Sequence, residues 1–408
     1  MNDLRCTRHQ LKRTSPPWSS SREIKRRLAS VTTLAALATS LCLQGAESEQ
    51  GERPRTLAAD GAKETGFESF VRRYASEHRF SGTIMVQEDG KTIYRGGFGM
   101  ADRSFNVPCR ENTKYKIASI TKVFTAVLIL QLAEEKKIDL SAVIKTYLPS
   151  YAGEGADKVS IHHLLNHTSG LPNLDANYKS VDDALTRGMP HYQTVATPAE
   201  LVDRFYSGKL VHEPGKVFDY NNADYVLLGR IIETVDGKPF AEVLHERILD
   251  RLGMKNTGML HQADILADLA LNYFSKDGSS PLIHDPPVYI ENWYAAGGMY
   301  STVGDLMVFA DALYGGKLLS DPSLDLMLKP GLGGYGYGLW IGRQTFGGKP
   351  YRNVNRPGLI MGASASFYHF NGVGFSKSIN IVILSNTNLT DMDKFSWAIG
   401  KELLSQTP

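Results

Sequence analysis

The chain has 408 residues, of which 42% are hydrophobic and 22% charged, and its formal net charge at neutral pH is +2. This composition excludes disordered, collagen-like and coiled-coil chains and predicts a soluble globular protein with ample material for a core. The first 46 residues hold eight basic and two acidic residues, so the rest of the chain carries −4. Because that remainder has no basic cluster for phosphate backbones, nucleic acid is excluded as a partner.

The N-terminal segment, residues 1–46, has the order of a secretory signal peptide. A basic run at 22–27 precedes an uncharged, Ala/Leu-rich stretch at 28–43, and small residues follow. This order predicts a secreted or periplasmic protein, with an organelle transit peptide or a disordered basic tail as alternatives. The apolar stretch is marginal for crossing a bilayer, so no stable membrane span is expected in the mature chain.

Residues 47–66 have the composition of a linker, and a packed pattern starts near residue 67. Segments 81–87 and 91–96 are predicted to be two strands joined by an Asp-Gly turn, which makes a β-hairpin. From 119 to 133 almost every residue is apolar, with a helical period, and this pattern predicts a buried helix. Cys109 is the only cysteine after residue 46, so no internal disulfide is expected there and its thiol is interpreted as buried and idle.

The middle of the chain, about 135–290, is predicted to form a helical lobe, and the C-terminal part is predicted to form strands. The predicted helices lie at 159–166, 198–206, 222–235, 241–252, 301–314 and 391–404. Residues 257–290 show no period and are expected to form loops, and the predicted late strands lie at 335–341, 362–370 and 379–384. The fold class is therefore α/β (α+β), with an antiparallel sheet of N- and C-terminal strands flanked by helices. A cleft between the sheet and the inserted lobe is the default site.

One serine in the chain has a lysine three places on, Ser119 with Lys122, at the start of the apolar helix. Positions i and i+3 share a helix face, so the hydroxyl and the amine can approach each other. A helix N-terminus also stabilises an alkoxide or an oxyanion. Burial would lower the pKa of Lys122 toward a neutral amine that can accept a proton. The alternative is a helix-capping serine with a solvated lysine.

A second group that could share the proton is Tyr220, directly before a predicted helix. A close ammonium in a poorly solvated cleft would favour its phenolate, and Lys122 and Tyr220 would then titrate as a coupled pair. The alternative is a tyrosine at a turn before a helix capped by Asn221 or Asn222.

These motifs together resemble the serine β-lactamase family of class C type, which includes D-Ala-D-Ala carboxypeptidases, D-aminopeptidases and related esterases. The likeness covers 67–405 in the family's order and rests on three main motifs and several supporting phrases. The main motifs are Ser119-x-x-Lys122, Tyr220-x-Asn222 and Arg356-Pro357-Gly358. The supporting phrases lie at 164–171, 214–215, 227–229 and 297–302. The resemblance implies one catalytic domain over 67–405, with a β-lactamase/transpeptidase-like fold and no cofactor.

The resemblance also implies a role for each matching residue. Ser119 matches the acylated nucleophile, Lys122 the amine that activates it, and Tyr220 the phenol that passes protons to the leaving group. Asn222 matches the amide that holds a substrate carbonyl. Gly358 lies in the third motif, in whose register the backbone N–H groups of Ser119 and Leu359 would form the oxyanion hole.

The chain departs from the family at Arg356, where the family has Lys or His, and at Pro357. Arginine could attract a substrate carboxylate and favour the Tyr220 phenolate, but it cannot release a proton near neutral pH. Proline removes a hydroxyl that β-lactamases use against the substrate carboxylate. These changes favour an esterase or amidase, acting on a small-molecule or peptide-like acyl substrate, over an efficient β-lactamase.

Two further patterns favour a structural role over a ligand site. The histidines at 162, 163 and 167 lack the glutamate of a zinc-binding H-E-x-x-H motif, so no metal is expected. The Gly-rich run at 331–338 lacks the Lys-Ser/Thr ending of a phosphate loop and is interpreted as a strand near the cleft. The main hypothesis is a serine acyl-hydrolase that uses Ser119, Lys122 and Tyr220. The alternative is a binding or scaffold protein that keeps the fold but has lost turnover.

Overall fold

The computed structural model describes residues 66–405, and the predicted signal segment and most of the linker lie outside these residues. The longer helices are α1 (Gly66–Glu77), α2 (Thr121–Glu134), α7 (Pro198–Phe205), α8 (Asn222–Asp236), α12 (Val303–Tyr314) and α14 (Met392–Leu404). The shorter helices are α3 (Ile144–Tyr147), α4 (Ile161–Leu165), α5 (Val181–Arg187), α6 (Pro190–Gln193), α9 (Phe240–Leu244), α10 (Asp250–Leu252), α11 (Tyr294–Gly297) and α13 (Asp321–Met327). Within the described residues, no helix is both long and apolar enough to cross a bilayer.

The main sheet has six antiparallel strands, and it joins the two ends of the described chain. Its strands are β1 (Gly82–Glu88), β2 (Lys91–Phe98), β10 (Trp340–Phe346), β11 (Lys349–Ile360), β12 (Ala363–Gly372) and β13 (Ser378–Ser385). They lie in the order β10-β11-β12-β13-β1-β2, so the first strand pairs with the last. The minor strands are β3 (Met100–Asp102), β4 (Val107–Pro108), β5 (Tyr115–Lys116), β6 (Gly258–Met259), β7 (Tyr273–Phe274), β8 (Ile283–His284) and β9 (Met299–Ser301).

The sheet packs helices on both faces because its central strands are apolar on both sides. All eight residues of β13 except Ser378 are buried. On one face, Val71 of α1 and Phe395 of α14 share a cluster with Ile383 of β13. On the other face, Phe124 of α2 and Phe309 of α12 stack at 3.9 Å in a second cluster, which also holds Val382. This layering confirms the predicted mixed fold with an antiparallel sheet and flanking helices.

Helix α2 lies in the interior, with the residues from Thr121 to Leu132 buried on every side. It contacts α8 and α11, so the helical lobe closes over the side of α2 that the sheet leaves uncovered. A helix that is apolar all round needs such complete cover. The position of α2 brings its first turn to the junction between the sheet and the lobe.

Several element boundaries differ from the prediction. The segment 241–252 is helical throughout but contains a π-helical stretch, His245–Leu249, between α9 and α10. The loops of 257–290 include the two-residue strands β6, β7 and β8. The strand predicted at 335–341 is wrong over 335–339, because β10 begins only at Trp340. The 3-10 turn Leu332–Gly334, with Gly333 at φ 67°, precedes this irregular segment.

Candidate active site

Ser119 lies in a 3-10 turn, Ala118–Ile120, that leads directly into α2. Ala118 has φ 47°, in the left-handed region that costs free energy for a residue with a Cβ atom. Both neighbours of Ser119 are fully buried, whereas Ser119 itself is partly exposed. The turn therefore presents one hydroxyl to the cleft from an otherwise buried segment.

Lys122 is one helical turn further on, and its side chain has no exposed surface. Its Nζ lies 3.2 Å from Ser119 Oγ, and it also donates to Asn222 Oδ1 at 2.6 Å and to the carbonyl oxygen of Ala296 at 2.8 Å. Burial lowers the pKa of this amine well below its usual value, and the charge of Arg356 acts in the same direction. Burial therefore favours the neutral form of the amine next to the serine hydroxyl.

Tyr220 is held by the start of α8. The side chain of Asn221 caps this helix by accepting from the N–H of Ala223 at 3.0 Å, so Asn221 is the capping residue. The phenol of Tyr220 donates to Ser119 Oγ at 2.8 Å, and Lys122 Nζ lies 4.9 Å from the centre of its ring. Burial raises the pKa of Tyr220, and the Arg356 guanidinium opposes this rise. The three residues predicted from the motifs thus meet at one hydroxyl.

Arg356, on β11, is fully buried beneath this group. Its Nε donates to the carbonyl oxygen of Ser119 at 2.8 Å, and its two terminal nitrogens donate to the phenols of Tyr335, at 3.0 Å, and Tyr220. Burial lowers the pKa of Arg356, but the surrounding phenols outweigh burial, and its pKa is raised overall. The expectation that Arg356 attracts a substrate carboxylate meets a steric obstacle, because no part of its side chain is exposed.

Gly358 brings β11 against the serine turn. A Cβ atom at this position would lie 2.5 Å from the carbonyl oxygen of Ile117 and 3.3 Å from the backbone nitrogen of Ser119. Only a glycine allows this approach. Leu359, the next residue, is half-exposed, with 50% of its surface accessible. The backbone segments predicted to form the oxyanion hole are therefore adjacent, with the N–H of Ser119 on one and that of Leu359 on the other.

Asn222 does not have a free amide in this structure. Its Oδ1 accepts from Lys122, and its Nδ2 donates to Asp175 Oδ2 at 2.8 Å and to the Tyr192 hydroxyl at 3.0 Å. Asn222 therefore fixes the position of the lysine amine. The role implied for it, holding a substrate carbonyl, would require one of these donor bonds to be exchanged.

A buried His–Asp pair supports the tyrosine from behind. His167 Nδ1 lies 2.8 Å from Asp224 Oδ2, and the Ser169 hydroxyl donates to Asp224 Oδ1 at 2.5 Å. The imidazole centre is 4.5 Å from that of the Tyr220 ring. Burial lowers the pKa of His167 and raises that of Asp224, both by a wide margin. Burial therefore favours the neutral form of each partner, and the pair packs against the ring of Tyr220.

Sequence reasoning missed several residues that surround the site. Tyr335 and Trp340 both pack on Tyr220, with ring centres 6.4 and 5.7 Å away. Tyr335 lies within the Gly-rich run and Trp340 lies just after it. The run was predicted to lie near the cleft as a strand; it lies there, but it forms no strand. No sequence pattern identified Asp175 or Tyr192 as site residues. Asp175 lies in a short turn and Tyr192 in a short helix, and neither segment has a recognisable motif.

The histidines of the helical lobe serve separate contacts. His162 Nδ1 lies 2.6 Å from the Tyr337 hydroxyl, and His163 Nδ1 accepts from the N–H of Ser160, the cap of α4. Between residues 66 and 405, no group of three or more histidine, cysteine or acidic side chains is arranged to hold a metal ion. Cys109 is a free, buried thiol, and burial raises its pKa to about 11.

Comparison with known proteins gives matches over most of the described chain. A protein of Bacillus subtilis described as a penicillin-binding protein, PbpX, is 30% identical over 275 residues, which are 66% of this chain and 64% of that one. The chain thus spans just under two thirds of that relative's length.

Two solved structures are similar to this fold. The octameric penicillin-binding protein homologue from Pyrococcus abyssi has a TM-score of 0.67 at 28% identity, covering 83% of this chain and 76% of that one. A D-stereospecific amidohydrolase from Streptomyces has a TM-score of 0.66 at 25% identity, covering 82% and 98%.

The family model described as Beta-lactamase matches residues 67–404. Together with the penicillin-binding and amidohydrolase neighbours, this match shows that the chain has the β-lactamase fold. The chain belongs to the beta-lactamase family.

Proposed function

We propose that this protein hydrolyses esters or amides through an acyl-enzyme formed on Ser119. The observation that carries the proposal is the convergence of two groups on one hydroxyl. Ser119 Oγ lies 3.2 Å from the Lys122 amine and 2.8 Å from the Tyr220 phenol. A serine hydroxyl needs an adjacent base to become a nucleophile, and these are hydrogen-bonding distances for a proton transfer.

The pKa values of Lys122 and Tyr220 are shifted in opposite directions, and each group therefore performs a different proton transfer. Lys122, whose pKa is lowered by burial, accepts the proton of Ser119 as Oγ attacks the carbonyl carbon. Tyr220, whose pKa is raised by burial, keeps its proton until the tetrahedral intermediate collapses and then gives it to the leaving group. The acyl-enzyme is then accompanied by a Lys122 ammonium and a Tyr220 phenolate, and the Arg356 guanidinium stabilises that phenolate.

Deacylation closes the cycle with the same groups. The phenolate of Tyr220 takes a proton from water, and the resulting hydroxide attacks the acyl carbon. As the bond from that carbon to Oγ breaks, the Lys122 ammonium returns its proton to Ser119. The net change is one water consumed, with one acid and one alcohol or amine released, and every protein group regains its starting proton.

Esters and unstrained amides suit this site better than β-lactams. Arg356 is buried and Pro357 has no hydroxyl, so the third motif offers no side-chain donor to a carboxylate on the leaving-group side. The penicillin-binding name belongs to the relative, and a β-lactam would here serve as a slow acylating agent at most.

A fluorophosphonate probe tests the proposal directly. We expect a mass gain of one phosphonyl group on the wild type and on Ser141→Ala, an exposed serine outside the site, and none on Ser119→Ala. Rates with a short p-nitrophenyl ester should exceed those with a chromogenic cephalosporin. A folded wild type that gains no mass with either the probe or penicillin would overturn the hydrolase proposal and favour a binding or scaffold role.

A further inference from the structure

Two arginines face each other across neighbouring strands, away from the proposed acylation site. Arg343 on β10 lies directly opposite Arg352 on β11 in the antiparallel register. Side chains in this arrangement share one face of the sheet, with Cβ atoms about 4.5–5.5 Å apart. Arg343 is exposed and Arg352 is half-buried, so the pair is open to solvent. Like charges directly opposite each other destabilise a sheet.

The pair projects from the face of the sheet that packs against α12. Two positions along their strands, Ile341 and Val354 pack with the cluster that holds Phe309 of α12. Residues two apart in a strand share a face, so the arginines lie on this side. Arg352 in turn lies opposite Asn371 on β12. This face therefore presents two guanidinium groups and a carboxamide in one row across three strands.

No carboxylate compensates the two charges of the pair. Within the described part of the chain, neither arginine has an ion pair or a hydrogen bond. Asp311 of α12 accepts from Gln87 through one oxygen and from Asn380 through the other, each at 3.1 Å. Asp89 accepts from the backbone N–H of Ser378, which lies on β13, two strands beyond β11. The pair therefore keeps both positive charges, since a guanidinium does not lose its proton in proteins.

The rings beside the pair supply no negative charge either. Tyr314, at the end of α12, stacks on His369 of β12 with centres 3.8 Å apart and planes 10° apart. Burial lowers the pKa of His369 to about 4, and the charge of Arg352 acts in the same direction. Burial raises the pKa of Tyr314, and Arg352 opposes this rise. The Tyr314 hydroxyl is buried and has no partner among the described residues, so this region also lacks an acceptor.

We propose that Arg343 and Arg352 form a binding site for a phosphate monoester, on a soluble metabolite or on a lipid headgroup. Each guanidinium offers a planar fork of donors, and the oxygens of one tetrahedral phosphate can accept from both forks at once. A carboxylate has oxygens for one fork and a single charge, whereas a phosphate monoester carries about −1.5 to −2 near neutral pH. The bound anion therefore removes the repulsion within the pair and stabilises the sheet.

The site is separate from Ser119. Arg352 precedes Arg356 by four residues of β11, a distance of about 13 Å along the strand. Binding at the pair therefore leaves the serine hydroxyl open, and the inference does not depend on the proposed hydrolase function.

Thermal unfolding tests the site with inorganic phosphate as the probe. At matched ionic strength, phosphate in place of chloride should raise the wild-type melting temperature by about 2 °C or more at about ten times its Kd. Arg343→Gln and Arg352→Gln should each abolish most of this rise. Arg251→Gln, at an exposed arginine of α10, should keep it. Phosphate also stabilises proteins by exclusion from their surface, and an equal rise in all four proteins would reduce the effect to that and overturn the proposal.

Arg343→Glu provides a second signature, of opposite sign. The variant replaces a like-charge pair by a cross-strand ion pair, so its melting temperature without phosphate should equal or exceed that of the wild type. Its rise with phosphate should disappear. A Glu variant that phosphate stabilises as much as the wild type would contradict the site. Phosphate that slows fluorophosphonate labelling of Ser119 equally in the wild type and the Gln variants would place the anion at the serine instead, and the proposal would fail.

Vesicles distinguish the two sources of the phosphate. Co-sedimentation with phosphatidylcholine vesicles that contain phosphatidic acid, lost in Arg343→Glu and Arg352→Gln, assigns the site to a lipid headgroup. Stabilisation by inorganic phosphate without co-sedimentation assigns it to a soluble phosphate monoester. If the wild type shows neither, the arginine pair binds no phosphate and the inference is wrong.

Discussion

The guanidinium of Arg356 reaches under the serine turn, and its Nε donates to the carbonyl oxygen of Ser119 at 2.8 Å. The same side chain holds the phenols of Tyr220 and Tyr335. Arg356 therefore connects the backbone of Ser119 to the phenol that bonds the Ser119 hydroxyl. A planar fork with five donors can satisfy three oxygens in different directions, which a lysine amine on a flexible stem does less well.

Replacement of Arg356 should lower kcat even when the positive charge is kept. In Arg356→Lys the charge remains, but at least one of the three oxygens loses its donor, so we expect kcat to fall by about tenfold or more. Arg356→Ala should also lower the melting temperature, because a buried phenol and a buried carbonyl lose their partner. Steady-state kinetics and thermal unfolding of both variants check this. A Lys variant with wild-type kcat would show that charge alone suffices.

Lys122 should control both acylation and the pH dependence of stability. Lys122→Met should slow phosphonylation of Ser119 by about a thousandfold or more, because the hydroxyl loses its base. Lys158→Met, at an exposed lysine in an ion pair with Glu154, should label at the wild-type rate.

The sign of the pH effect follows from the depressed pKa of Lys122. Between that pKa and the usual value of 10.5, the unfolded chain binds a proton at Lys122 that the folded chain does not. The free energy of unfolding therefore rises with pH across this window through this group. Denaturant titrations at several pH values should show this slope in the wild type and a smaller one in Lys122→Met. Equal slopes would mean that Lys122 is charged in the folded protein.

Asp224 should show the opposite pH dependence. Burial raises its pKa well above 3.8, so above that pH the folded state holds a proton that the unfolded state releases. This group's contribution to stability is complete at low pH and is lost as pH rises toward the folded pKa. Asp224→Asn mimics the protonated carboxyl and should remove that loss. Asp224→Ala should destabilise by about 1–3 kcal/mol, since His167 and Ser169 lose a buried partner. Chemical unfolding across pH measures both effects, and an Asn variant less stable than the Ala variant would contradict them.

Gly358 should tolerate no side chain. A Cβ atom at 2.5 Å from the Ile117 carbonyl oxygen forces β11 away from the serine turn and separates the two backbone N–H groups near Ser119. We expect Gly358→Ala to lower kcat by about a hundredfold, the cost of losing one oxyanion donor. Gly304→Ala, whose new Cβ meets nothing closer than 3.9 Å, serves as the matched control. Far-ultraviolet circular dichroism should show that both variants keep the fold.

The sequence was most informative where a period or a motif extended over many residues. The hairpin at its Asp-Gly turn, the buried helix after Ser119 and the antiparallel layout all follow from local patterns, and the structure contains them. The approach of Ser119, Lys122 and Tyr220 was predicted from motifs and is present in the geometry. The contacts of Asn222 with Asp175 and Tyr192 could not be predicted, because they depend on irregular turns. The burial of Arg356 could not be predicted either, because no feature of the neighbouring sequence distinguishes a buried arginine from an exposed one.

The pairing of β1 with β13 links residues about three hundred positions apart, with Gly82 opposite Ser385. Ser119 is made early during synthesis, but the strand that carries Arg356 and Gly358 emerges more than two hundred residues later. A nascent or prematurely terminated chain therefore has Ser119 without its supporting strand, and it lacks the groups that the proposed mechanism needs. Such long-range closure also slows folding, because distant segments must meet before either is stabilised.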